Sequence, residues 1–307
     1  MIYANLLHLG YNMWRDTCAP PDCPENQRDI HFSPLLRCED SLWRECVRCM
    51  ARAGMNMAVI DLGDGVQYRS HPEIAVDGAW TPAKLRDELA FCRELGVEPV
   101  PKLNFSACHD AWLHDHARRL STPEYYTVCR DLIRETCDLF DEPRFVHLGM
   151  DEETFQHQTR LQYVVIRQGD LWWHDLNLLA REVESAGSRA WVWSDVLWNC
   201  GVEAFAANMP RSVLQSNWYY SAEFPQEAPS NMLKAFVWLE EMDYEQVPTG
   251  STWSNCENYP RLVQHCAARI SEKNLLGFMM ADWRPMLAPW RQTHLDAIAV
   301  VAAAHGF

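Results

Sequence analysis

The sequence predicts an α/β fold, a single (β/α)8 TIM barrel occupying residues 1–307, and three observations carry that expectation. Short apolar runs alternate with amphipathic stretches eight times along the chain, the pattern of parallel strands each followed by a covering helix. A length of 307 residues matches one such barrel, which typically uses roughly 250 residues. The strand candidates are near-continuous apolar runs, as strands buried on both faces must be. A doubly wound open sheet is the alternative. It normally carries a glycine-rich phosphate turn after its first strand, and none is present here.

Taken in order, residues 2–9 (IYANLLHL) read as the first strand, and 41–53 (SLWRECVRCMARA) as a helix that stops at Gly54. NMAVIDL at 56–62 is the second strand, and the next helix opens at Thr81-Pro82, a capping residue followed by proline in the first turn. VEPVPKL at 97–103 is the third strand. Its helix begins at Ser121-Thr122-Pro123-Glu124. RFVHLGM at 144–150 is the fourth strand, with a helix near 170–186 ending at Gly187. AWVWSD at 190–195 and SVLQSNW at 212–218 follow as the fifth and sixth strands. A helix over 230–242, a short strand around 246–253 and a helix over 258–272 lead to LLGFMMADW at 275–283, and the last helix covers 291–304.

Composition narrows the function classes. With 27 Lys plus Arg against 42 Asp plus Glu, the net charge is −15, which argues against a nucleic-acid partner, since backbone phosphates need a basic face. No run of 18 apolar residues occurs, so no membrane span is expected. The N-terminal residues carry neither a basic n-region nor a small-residue cleavage site. The 12 cysteines are scattered through the chain, unlike a small disulfide scaffold, and the C-x-x-C at Cys46 and Cys49 falls in a helix without a second pair. A reduced, cytoplasmic protein is therefore expected. Fourteen tryptophans suggest flat apolar platforms on which sugar rings stack, with extra core packing as the competing explanation.

In barrels of this kind the chemistry gathers where strands end and loops begin. Here those positions carry Asp61 and Asp64, Asn104 and His109, Asp151 and Glu152, Asp195, Trp218 and Tyr219, and Asp282 and Trp283. The most informative segment is RFVHLGMDEE, 144–153, where an apolar strand delivers two successive carboxyl groups. Adjacent residues of a regular strand face opposite ways, but a turn at the strand terminus can bring both into one pocket. Two carboxyl groups sharing an aromatic-lined site push each other's pKa values apart, leaving one as an acid and one charged. An acidic loop or helix cap is the plain alternative. His147 reads as a hydrogen-bonded core histidine, Trp172 and Trp173 as helix packing, and His114 and His116 as solvated.

HLGMDEE resembles the fourth-strand signature of the family 20 glycoside hydrolases, the β-N-acetylhexosaminidases. MNMAVIDLGDGVQYRSHPEI (55–74) is similar to the family's second-strand block, where an acidic loop precedes an aromatic residue and an arginine, here Arg69. GAWTPAKLRDELAFCRELGVEPVPKLNFSACH (78–109) resembles its second helix, third strand and histidine-bearing loop. AWVWSDVLW, VLQSNWYY and GFMMADW resemble its tryptophan-carrying ends of strands five, six and eight. The resemblance implies retaining, substrate-assisted hydrolysis of a terminal β-linked N-acetylhexosamine or a related sugar, in which the substrate's own acetamido oxygen attacks the anomeric carbon. It implies Glu152 as general acid and base, Asp151 as partner of the acetamido nitrogen, and Tyr219 as donor to the acetamido oxygen. Asp64 and His109 would pair behind Glu152 and tune it. Trp193, Trp218 and Trp283 would wall the sugar, and Arg15, Asp61, Arg69, Asp195 and Asp282 are the remaining candidates for substrate contacts. Neither a cofactor nor a metal is implied.

The chain departs from the pattern at several places. Asp61 stands where the family has histidine, Gly65 where it has a second acid, Ser221 where an aspartate follows the tyrosine, and Pro285 where a glutamate follows the last tryptophan. Arg15 is a substitute for a strand-one arginine that has no clean counterpart. A barrel that binds a carbohydrate without hydrolysing it is thus an alternative, as is a metal-dependent enzyme, although no H-x-H or H-E-x-x-H spacing is present. The accessory domain that often precedes the family's barrel has no counterpart, which leaves surface that a partner subunit in a homo-oligomer could cover.

Overall fold

A computed structural model describes residues 1–165 and 167–307. Eight parallel strands form one sheet: β1 (Ile2–His8), β2 (Met57–Asp61), β3 (Glu98–Lys102), β4 (Phe145–His147), β5 (Arg189–Trp193), β6 (Leu214–Ser216), β7 (Thr249–Gly250) and β8 (Gly277–Ala281). They pair in the order β6-β5-β4-β3-β2-β1-β8-β7. Isolated bridges from Gln215 to Gln246 and from Trp218 to Thr249 join the two ends, so the sheet curls into the expected barrel. Behind the strands come α1 (Asp40–Arg52), α2 (Pro82–Glu94), α3 (Pro123–Leu139), α4 (Asp170–Ser185), α5 (Val202–Asn208), α6 (Asn231–Glu241), α7 (Asn258–Ala267) and α8 (Arg291–His305). The capping signals act as read: the Thr81 side chain accepts from Lys84 N at 3.2 Å and that of Thr122 from Tyr125 N at 3.3 Å.

Period-two alternation sorts each strand into two faces. Leu6, Val59, Val100, Phe145, Trp191 and Met279 fill the barrel interior. Their neighbours Leu7, Ile60, Val146, Val192 and Met280 join the larger apolar layer beneath the helices. That layer also takes Trp43, Cys46, Val47 and Met50 from one face of α1, and Trp172 and Trp173 from α4. Cys46 is therefore a core thiol. All twelve cysteines are free, and among the described residues no helix is long and apolar enough to cross a membrane.

Toward the C-terminal mouth the interior becomes polar. The strand register aligns His8 with Asp61, Asp61 with Lys102, and Lys102 with His147, and all four are buried. Lys102 Nζ donates to Asp61 Oδ2, and His8 Nδ1 lies 3.6 Å from the same oxygen. His147 Nδ1 accepts from Gly149 N at 3.0 Å. Removing one member of a buried ion pair strands its partner's charge. We expect Lys102→Met to cost about 3–5 kcal/mol of unfolding free energy in urea titration, with most of it recovered in Lys102→Met/Asp61→Leu. An unchanged midpoint in the single variant would contradict that pairing.

Candidate active site

Beyond His147 the chain leaves the sheet in a tight bend. Gly149 (φ 71°), Met150 (φ 71°) and Glu152 (φ 53°) all have left-handed backbone. Glycine is required at 149, because a Cβ there would collide with both the side chain and backbone of Asn104. At Met150 and Glu152 such conformations cost of order 1–3 kcal/mol each and persist only when their surroundings enforce them. The surroundings do so here. Trp193 N donates to Gly149 O at 3.0 Å, Glu152 N to Asp195 Oδ2 at 2.8 Å, and Thr154 N to Glu152 O at 2.6 Å. The Ser106 hydroxyl and the Cys108 thiol both donate to Asp151 O. This bend turns Asp151 and Glu152 into one cavity, where a regular strand would have separated them.

The cavity has a volume of about 260 Å3 and is walled by Trp14, Trp193, Trp218, Trp253 and Trp283. Its polar lining is Asn104, His109, Asp151, Glu152, His157, Arg160 and Tyr220. Asn104 Nδ2 donates to Asp151 Oδ1 at 3.1 Å. His109 Nε2 lies 3.1 Å from Glu152 Oε2 and 3.5 Å from Asp151 Oδ2, bridging the two acids. His157 Nε2 approaches Glu152 Oε2 from the other side at 3.4 Å.

Electrostatics follow from this packing. Burial pulls the Glu152 pKa upward, but the hydrogen bond from His109 and the charges of His109, His157 and Arg160 outweigh it and leave the value lowered. For His109, burial opposes the imidazolium, while Cys108, Asp151 and the hydrogen bond to Glu152 raise its pKa well above the usual value. Burial holds the Cys108 thiol at about 11, so it is neutral near pH 7 and the carboxyl groups sustain the imidazolium. Burial and the nearby Asp151 push Asp195 well up. Burial also raises the Tyr220 hydroxyl, while Trp283 Nε1 donates to its oxygen at 3.1 Å, leaving the phenolic proton free to donate.

The structure redistributes several residues singled out in the sequence. Tyr219 turns away and its hydroxyl donates to Glu223 O at 2.7 Å, so Tyr220 supplies the phenol in the cavity. Asp64 accepts from Asn12 Nδ2 at 2.6 Å and forms no hydrogen bond with His109, whose buried Nδ1 has no partner among the described residues. Burial raises Asp64 to about 7. Asp61 faces the barrel interior and Lys102, in phase with Met57 and Val59. Asp195 lies behind the bend and supports it. Asp282 is buried beneath α8, 2.5 Å from His294 Nδ1. Arg69 is exposed at the barrel flank, where its backbone N donates to Glu135. Arg15 does not line the cavity, whereas Trp193, Trp218 and Trp283 do. His114 and His116 are half-buried and engaged with Ile74 O and Glu73. His157 and Arg160, which no motif marked, come from the long segment between β4 and α4. His109, Asp151 and Glu152 place three ligand atoms within 4.8 Å of one another, close enough to hold a divalent cation.

Fold and cavity together define a (β/α)8 barrel with a paired-acid, tryptophan-walled pocket at the C-terminal ends of its strands. Among solved structures, the chain is similar to a Flavobacterium johnsoniae chitobiase, with TM-score 0.65 and 16% identity over 86% of this chain and 46% of that one. It is similar to a Vibrio harveyi exo-β-N-acetylglucosaminidase of family 20, with TM-score 0.66 and 14% identity over 98% of this chain and 54% of that one. Dispersin B matches with TM-score 0.59 and 13% identity over 90% of this chain and 95% of its own. The chain thus spans about half the length of the first two. At these identities the likeness establishes the fold. No protein-family model and no curated protein matches the sequence.

The paired shifts set a pH window. A raised His109 contributes stability that is full below about pH 6.5 and is lost as pH rises through its folded value. A lowered Glu152 contributes stability present above about pH 4.3 and lost as pH falls through its folded value. In His109→Asn the Glu152 pKa should rise, read by carbon-13 NMR of the glutamate carboxyl. A Glu152 titration indifferent to that substitution would remove His109 from the account.

Proposed function

We propose that the protein is a retaining exo-glycosidase that releases terminal β-linked N-acetylhexosamine, or a close relative, by substrate-assisted catalysis. One observation carries the reading: a strained bend directs two successive carboxyl groups into a small tryptophan-walled cavity, with an imidazole bridging them. A volume of about 260 Å3 falls below the roughly 300–1,000 Å3 usual for small-molecule pockets. It suits one sugar ring at a chain end.

In this scheme Glu152 protonates the leaving glycosidic oxygen as the substrate's acetamido oxygen closes on the anomeric carbon. Asp151, held by Asn104, takes the acetamido N–H and offsets the charge of the oxazolinium-like intermediate. Tyr220, the phenol in the cavity, donates to the acetamido oxygen. Glu152 then removes a proton from the water that opens the intermediate. The hydrogen bond between Glu152 and His109 favours the ionised acid beside the protonated imidazole. A bound sugar that excludes water would disfavour this charge pair and return the proton to Glu152. Sugar binding without turnover is the second reading, favoured by Ser221 and Pro285 where the resembled pattern has acids.

Glu152→Gln should lower turnover of an aryl N-acetyl-β-glucosaminide by about 10²–10⁴-fold, the usual worth of a general acid. Tyr220→Phe should lower it by about 10²-fold, and Tyr219→Phe should change it little. Equal turnover in wild type and Glu152→Gln would sink the acid assignment. Saturable sugar binding with no turnover across a panel of N-acetylhexosaminides would favour the second reading.

A further inference from the structure

Away from the cavity, the loops after β2 and β3 bring two imidazoles and a carboxylate together. His71 precedes the helical turn Pro72–Ile74, which carries Glu73, and His116 lies in the helical segment Ala111–Arg119. Glu73 Oε1 is 3.1 Å from His71 Nδ1 and 2.8 Å from His116 Nε2. The three ligand atoms all lie within 4.8 Å of one another. Tetrahedral zinc with nitrogen and oxygen ligands at about 2.0–2.1 Å keeps its donor atoms roughly 3.3 Å apart. Small side-chain adjustments would therefore open this trio around an ion.

A second observation points the same way. The other ring nitrogen of His71, Nε2, faces Asp131 Oδ2 on α3 at 3.4 Å. Metal-bound imidazoles commonly give their second N–H to a carboxylate, which fixes the tautomer and leaves the opposite lone pair for the ion. The two imidazoles are sheltered, at 13% and 19% side-chain exposure, whereas Glu73 is 52% exposed, which leaves a solvent-side position open for water. Two imidazoles and a carboxylate suit zinc and neighbouring first-row divalent ions rather than calcium or magnesium.

We propose that His71 Nδ1, His116 Nε2 and Glu73 Oε1 hold a zinc-class divalent cation, with Asp131 orienting His71 and water completing the shell. The ion would join the β2 and β3 loops, the second of which also carries His109. The two loops already meet where His114 Nε2 contacts Ile74 O at 2.9 Å.

The test uses the whole chain without a histidine tag, stripped with chelator and titrated with Zn2+ by calorimetry and with Co2+ by visible absorption. One equivalent should bind, and the cobalt form should show the intense d–d bands of a low-symmetry site. His116→Gln or Glu73→Gln should weaken binding at least tenfold, and Asp131→Asn by about 10–100-fold. His109→Gln, in the cavity, should leave it unchanged. Zinc should raise the melting temperature of wild type but not of His116→Gln. Failure of wild type to bind either ion stoichiometrically would overturn the proposal. So would affinity unaffected by His116→Gln and Glu73→Gln, or binding lost in His109→Gln instead.

Discussion

The bend after β4 is the constraint on which the site depends. It is left-handed at three of four successive positions, and it survives because the strands on either side, β3 and β5, supply the residues that hold it. Asn104 from the β3 loop occupies the space a side chain at Gly149 would need, while the same asparagine's amide steadies Asp151. Asp195, after β5, receives the Glu152 amide. Glu153, the next acid, turns the opposite way to pair with buried Arg167 and to accept from Ala107 N at 3.1 Å. Three consecutive acids thus meet two environments, and only the first two share the cavity.

Beneath that cavity the barrel interior changes character within one layer. Apolar side chains fill its depth, and the His8, Asp61, Lys102 and His147 level lies directly under the mouth. Such a layer adds little net stability, because desolvation consumes most of what its charges gain by pairing. It does place fixed charge under the acids. Burial raises the Asp61 pKa on balance despite the downward pull of Lys102, and Lys102 further depresses the burial-lowered His8 and His147.

Much of this was legible in the chain. The eight strands, seven of the covering helices, the two threonine caps and the strand-end clustering all follow from periodicity and local chemistry, while α5 between β5 and β6 is seen in the structure alone. Alternation also sets the directions of Asp61 and Asp282. Asp61 is in phase with the inward Met57 and Val59, while Asp282 follows inward Ala281 and so faces the helices. Tyr219 and Tyr220 mark where such reasoning stops. β6 ends at Ser216, and beyond it no period says which phenol turns inward. His157 sits in the single helical turn Phe155–Gln158 and Arg160 just beyond it, on a segment whose path depends on the bend, so spacing carries no trace of their approach to Glu152. The role of His109 was readable only through the resemblance.

The barrel's closure gives the two halves of the cavity different supports. The acids stand on the bend, which is tied from both sides. Trp218 and Tyr220 follow β6, and Trp253 follows β7, a strand of two residues that meets the β6 side through isolated bridges and through Thr249 N donating to Asn217 O at 2.9 Å and Tyr219 N to Thr249 O at 3.2 Å. The acid wall thus stands on β4, between β3 and β5, and part of the aromatic wall stands on the seam where the barrel closes. Substitutions along the seam would reshape the tryptophan face of the cavity without touching the residues that hold the paired acids.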